Sequence, residues 1–222
     1  MANALEKVYD KNYYHMNKDW GDGYKDYENF ESGKRPLTGA ELVPELTKKL
    51  KHIKKPKVLD VGCAFGTLVS KFPNTFDRYG TDISEYAISQ AKKHHPKCTF
   101  KAANISEEIP FKQKFDLITG FDVFEHVTNL KSALENASAM MTKDSLLVIE
   151  VPVATRSHQL FSALHFGFLT NQFSHLTLTT PKAWEEIILP DHFKIIEKRF
   201  TTFCALKIPG LNFFSIYFLK KK

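Results

Sequence analysis

Cysteine is scarce in this 222-residue chain, which holds only Cys63, Cys98 and Cys204. They lie far apart without Cys-x-x-Cys spacing, which excludes a disulfide scaffold and fits a reducing compartment. The nine histidines include no His-Glu-x-x-His pair, and Asp122 with Glu125 makes too small a ligand set, so no metal is expected. No apolar run reaches the roughly 18 residues that a membrane-spanning helix needs. The opening residues MANALEKVYDKNYY lack a basic segment followed by an apolar core, so no secretory leader is expected and a cytoplasmic location is. Glycine and proline stop at 10 each beside 43% hydrophobic residues. That is a globular composition, neither disordered nor fibrous.

What is present points to one α/β domain. The net charge is +6, but the lysines are dispersed in short pairs between acids. This permits nucleic-acid contact without demanding it, and with no nucleic-acid motif present no such partner is expected. The terminal Lys220-Lys221-Lys222 reads as a solvated tail. The 19 phenylalanines suit either apolar pocket walls or simply a Phe-rich core.

Residues 1–37 are polar and aromatic by turns and read as an N-terminal arm. The domain proper is expected over 38–222. Thr38-Gly39-Ala40-Glu41 has capping-box spacing, and Leu42, Val43, Leu46, Leu50 and Ile53 follow at helical spacing, predicting a helix near 39–54. KVLDV, RYGTDI, CTFKAA, FDLITG and SLLVIEV then read as five strands. Helices are expected from Thr67 to Pro73, from a Ser84 cap through Ala87, Ile88 and Ala91, and near 129–141. Near-continuous apolar strands separated by helices imply a parallel sheet covered on both faces. After an insert at about 154–178 and a helix begun by Thr180-Pro181, FKIIEKRF and NFFSIYFL have no helix between them and should pair antiparallel.

The stretch VLDVGCAFGTL carries the first functional signal. Gly62 and Gly66 allow close approach of backbone to a ligand, and the following helix start presents unpaired N–H groups. The spacing is not Gly-x-Gly-x-x-Gly, so a purely structural turn also fits. Asp82 ends the second strand 20 residues beyond Gly62. A carboxylate there can accept both hydroxyls of an adenosine ribose, in NAD or in S-adenosylmethionine, or can serve only as an acid at a helix N-terminus. Asn104 follows the third strand, where its amide could read an adenine edge or be an ordinary loop residue. Together, the three sit at successive strand ends on one edge of the sheet.

VLDVGCAFG, GTDIS, KAANI and ITGFDVFEHV, in that order, resemble the successive motifs of class I S-adenosylmethionine-dependent methyltransferases. The resemblance runs over about 38–200 and includes the terminal hairpin. It implies a Rossmann-like three-layer α/β sandwich whose seven-stranded, mostly parallel sheet has the order 3-2-1-4-5-7-6 with strand 7 antiparallel. Ala64 stands where the family's first motif usually has its middle glycine. By position, the resemblance implies that Asp60 and Gly62 shape the cleft around the methionine moiety, with Cys63, Ala64 and Gly66 completing the turn. It puts Asp82 with Ile83 at the ribose, Asn104 with the Ile105 backbone at adenine, and Phe121 in the pocket wall.

Methyl transfer is an in-line displacement that depends on alignment, with a base needed only where the acceptor holds its proton. His126, beside Glu125 after the fourth strand, is one candidate base; imidazole ordinarily titrates near neutrality. It could equally anchor the next helix. His175, in the aromatic insert, is the other. The insert itself fits a lid over the acceptor or a surface helix packed down. Tyr13 and Tyr14 resemble N-terminal aromatic segments of small-molecule and sugar methyltransferases and are candidates for the substrate side, or simply for packing on the core. No Asn-Pro-Pro-Tyr tetrapeptide follows the fourth strand and no Pro-Cys nucleophile is present, which argues against base methylation. The expected acceptor is therefore a small molecule, a sugar or other polar metabolite, methylated at oxygen or nitrogen. Two other readings stand beside it: an NAD(P)-dependent oxidoreductase, although no Tyr-x-x-x-Lys relay follows the turn, and a non-catalytic cofactor-binding partner subunit.

Overall fold

A computed structural model of the chain describes Tyr9, Tyr14 and residues 39–155, 179–201 and 213–222. The expected strands form at β1 (Lys57–Val61), β2 (Asp77–Asp82), β3 (Thr99–Ala102), β4 (Phe115–Phe121), β5 (Met141–Pro152), β6 (Phe193–Thr201) and β7 (Phe214–Lys221). They make one seven-stranded sheet in the order β3-β2-β1-β4-β5-β7-β6. The pairs among β1 to β5 are parallel, whereas β7 runs antiparallel to both β5 and β6. Among the described residues, no helix is long and apolar enough to cross a membrane.

Alternating residues of the strands supply two cores. Val58, Leu117, Val148 and Phe218 pack on one face with α1 (Val43–Lys49), α2 (Thr67–Ser70) and α3 (Glu85–His94). Leu59, Ile118, Leu147 and Tyr217 pack on the other with α4 (Leu130–Ala139) and the buried Trp184. Each fully buried large apolar side chain contributes about 1.5–3 kcal/mol of transfer free energy, so both faces must be covered. Ser84 caps α3 by accepting from the Ala87 N–H, as expected, and Asn129 caps α4 the same way from Ser132.

Three local expectations are corrected. The first helix is shorter than 39–54: a 3-10 turn at Ala40–Leu42 leads into α1, which ends at Lys49. Pro56 bars helical geometry at Lys55, and residues 51–55 run as turns and bends. The N-cap of the 3-10 turn is Gly39 at φ 78°, which carries no side chain, rather than Thr38, whose contacts lie outside the described residues. Third, the terminal lysines are not a free tail. Lys220 and Lys221 belong to β7 and their ammonium groups donate to the carbonyls of Asp144 and Ser138, while Lys222 donates to the carbonyl of Pro190.

One ion pair ties α1 to the terminal hairpin. The Arg199 guanidinium on β6 makes two bonds, of 2.7 and 2.8 Å, to the Glu45 carboxylate, and sits 4.5 Å over the Phe218 ring. The planar fork suits both contacts, which a lysine could not make together.

Candidate active site

The carboxyl ends of β1, β2 and β4 meet around residues 60–66. Beyond β1 the chain turns sharply, and Gly62 and Cys63 donate their N–H groups to the Thr81 carbonyl of β2 at 2.8 and 3.0 Å. Gly62 has φ +69°, and a Cβ there would lie 2.1 Å from Val123 Cγ2. No L side chain fits that position without movement. Gly66 is also left-handed at φ +80° and precedes α2. Ala64, at φ +46°, holds a left-handed conformation despite its methyl group, which costs about 1–2 kcal/mol.

Asp82, at the end of β2, is buried and fixed by backbone. Its Oδ2 accepts the Ala64 N–H and its Oδ1 the Ser84 N–H, each at 2.9 Å. Burial pushes the carboxyl up, against the pull of these donors. Both oxygens keep a lone pair for a ligand hydroxyl. Asp60 is buried on β1 and accepts the Thr119 hydroxyl of β4 at 2.7 Å. Burial, opposed by that bond and reinforced by Asp82, pushes its carboxyl up to about 7. The same burial, with Asp82 and Asp60 adding to it, raises the Cys63 thiol and keeps it from acting as a thiolate.

Asn104 follows β3 as expected, and its side chain works locally. Its Oδ1 accepts the Ser106 N–H and its Nδ2 donates to Glu107, both at 3.0 Å. Ile105 is buried, with its carbonyl accepting the Asn136 amide at 2.8 Å; Ile83, beside Asp82, is half-buried. The Phe121 ring packs on Gly39, where a Cβ would come within 2.6 Å of Cε2. Beyond it Asp122 turns left-handed at φ +54° and leads to Val123, which touches Gly62, and then to Glu125 and His126. Glu125 is fully buried, and that burial, with Asp122 adding to it, holds its carboxyl well above the usual range. His126 keeps its Nε2 3.8 Å from Glu125 Oε1.

Tyr14 is buried against the same turn, its ring centroid 5.0 Å from that of Phe65 and 6.1 Å from that of Tyr86. It shares an apolar cluster with Ala64 and Ala87. Tyr13 and His175 lie outside the described residues. Thus Asp60, Gly62, Ala64, Asp82 and Tyr14 surround one turn, while Val123 links that turn to the segment carrying His126. Sequence reasoning passed over Thr119, an ordinary strand residue by type. It also passed over the Glu150–Thr201 bond of 2.9 Å between the ends of β5 and β6. The signal for Glu150 was a carboxylate inside the apolar run SLLVIEV.

These residues fit an adenosyl sulfonium ligand. A fixed carboxylate could take the ribose, small residues 62–66 leave the backbone approachable, and a second buried carboxylate could face a cation.

A family model described as a methyltransferase domain matches residues 33–197. Among curated relatives, the ubiquinone biosynthesis O-methyltransferase of Pelagibacter ubique is 27% identical over 168 residues, covering 73% of this chain and 68% of that protein. The protein of the same name from Rhodopseudomonas palustris (strain HaA2) is 29% identical over 111 residues, 46% of this chain; the match spans only 42% of that relative's own length. Among solved structures, magnesium protoporphyrin IX methyltransferase from Synechocystis with bound S-adenosylhomocysteine superimposes with TM-score 0.63 at 17% identity, covering 91% of each chain. At that identity the likeness is one of fold.

Proposed function

The chain belongs to the methyltransferase-domain family, as a class I member using S-adenosylmethionine, and from that premise we propose that it methylates a hydroxyl oxygen of a small molecule. The observation carrying the donor site is Asp82, held by the Ala64 and Ser84 N–H groups at the strand end beside the glycine turn. The choice of oxygen over nitrogen is supported by the relatives, which are named O-methyltransferases. A sugar or other polar metabolite remains the acceptor class that the arm and insert suggest.

In this reading Asp82 accepts the ribose hydroxyls with Ile83 beside it, and Asn104 with the Ile105 backbone borders adenine. Asp60, Gly62, Cys63, Ala64 and Gly66 surround the methionine moiety, Phe121 walls the pocket, and Tyr14 covers the turn, with Tyr13 kept as a substrate-side candidate from the sequence alone. When bound, the sulfonium supplies a methyl carbon already activated for displacement. The protein's own work is to align the acceptor oxygen with that carbon, exclude water and remove one proton. His126 is the base assigned to that proton, with His175 the alternative. Displacement at that carbon would release the rest of the bound donor as a neutral thioether.

Calorimetric titration with S-adenosylhomocysteine, with NADH and NADPH in parallel, tests the donor site. Micromolar binding of S-adenosylhomocysteine alone is expected, and binding of a nicotinamide nucleotide alone would overturn the reading. For the base, His126→Gln should lower the methyl-transfer rate by about 10²–10⁴-fold on whichever sugar or other hydroxyl-bearing metabolite a screen identifies, with S-adenosylhomocysteine affinity retained. An unchanged rate would remove His126 from that role.

A further inference from the structure

Asp60 and Thr119 stand opposite each other in the parallel ladder between β1 and β4. Both are buried, Thr119 completely. Thr119 Oγ1 lies 2.7 Å from Asp60 Oδ1 and 3.4 Å from the Leu59 carbonyl. A hydroxyl has one proton to give, and the shorter contact is the one to the carboxylate. The ionisable groups that raise Asp60 or are raised by it are Asp82 at the end of β2 and the Cys63 thiol of the turn, neither of which can neutralise it. A buried carboxylate without a cation needs a donor to remain charged at all, and among the described residues Thr119 supplies that side-chain bond.

We propose that Thr119 is a positioning residue for donor binding: its hydroxyl orients the Asp60 carboxylate and favours its charged form for the cationic methionine end of S-adenosylmethionine. The inference rests on the donor-site reading above. In the ligand-free chain, burial and Asp82 push Asp60 up to about 7, so proton and cationic ligand compete for one carboxylate. Binding near neutrality should therefore release a proton from Asp60. Affinity should rise with pH until Asp60 is fully ionised and then level off, with a limiting slope of about tenfold per pH unit from one proton.

The test is calorimetry of the full chain with S-adenosylmethionine and S-adenosylhomocysteine from pH 5.5 to 9. Two buffers of different ionisation enthalpy count the protons released. Asp60→Asn supplies the baseline from the ligand's own amine and should abolish the remaining pH dependence. Thr119→Val keeps the volume but loses the donor, and should move the break in affinity upward by a pH unit or more. Thr119→Ser should restore it. A merely structural role would lower stability in Thr119→Val without moving the break, so circular dichroism is measured on the same samples. Binding with an unshifted break in folded Thr119→Val, or an unaltered profile in Asp60→Asn, would overturn this proposal alone. No binding by the wild type at any pH would overturn the donor site and this proposal with it.

Discussion

Gly62→Ala probes how the turn is built. The new methyl group would have to sit at φ +69° and 2.1 Å from Val123 Cγ2. The left-handed backbone costs an alanine about 1–2 kcal/mol. The clash adds overpacking of about 1–3 kcal/mol, so a loss of about 2–5 kcal/mol is expected. A domain of ordinary stability, about 5–15 kcal/mol, would survive this but with much of its margin gone. The two causes separate in a double-mutant cycle with Val123→Ala. Removing Cγ2 leaves only the Val123 Cβ, at 3.2 Å, a contact that a shift of a few tenths of an ångström relieves. Urea denaturation of the four proteins should show Val123→Ala recovering about 1–3 kcal/mol of the steric cost and leaving the backbone cost behind. Strict additivity would refute Val123 as the reason for glycine at this position. A neutral Gly62→Ala would refute the turn conformation itself.

Three further outcomes are expected. Ala64→Gly relieves the left-handed alanine at φ +46° but loosens the unfolded chain by about 0.4–1 kcal/mol, so a net gain of about 0.5–1 kcal/mol should appear in thermal melts; a loss would contradict the strain. Asp82→Ala should weaken S-adenosylhomocysteine binding by about 1–3 kcal/mol through lost charged hydrogen bonds, whereas unchanged affinity in a folded variant would displace the ribose site. The carboxyls of Asp60, Asp82, Glu125 and Glu150 are all raised by burial. Folding therefore favours their protonated forms, a contribution complete below their unfolded values and lost as pH rises through the folded ones. For Asp60 that window runs from about 3.8 to about 7, with a slope of up to about 1.4 kcal/mol per pH unit. The ligand-free chain should melt higher at pH 5 than at pH 8, less so in Asp60→Asn, and a rise towards pH 8 would refute the burial argument.

Much of the candidate site was legible in order along the chain. Gly62, Asp82 and Asn104 mark the ends of consecutive strands because a turn residue or a helix cap must follow an apolar run there, and the structure places all three on one sheet edge. Their partners were not legible. Asp82 meets the Ala64 N–H, and Asn104 turns its amide to Glu107, through bonds that depend on backbone direction as well as residue type. The lysine tail looked solvated because composition does not reveal that β7 ends beside the carbonyls of Ser138 and Asp144.

The sequence by itself determined which segments are strands, which are helices and that the last two strands form a hairpin, because apolar periodicity and caps act over a few residues. The strand order was carried by the resemblance, since buried strands of similar composition are interchangeable by pattern. Only the tertiary structure decided that Thr119 faces Asp60, that Val123 fills the space beside Gly62 and that Tyr14 returns to cover the turn. Those contacts join residues about 50–60 positions apart. Sheet register and burial select them, and neither is a property of any short stretch of chain.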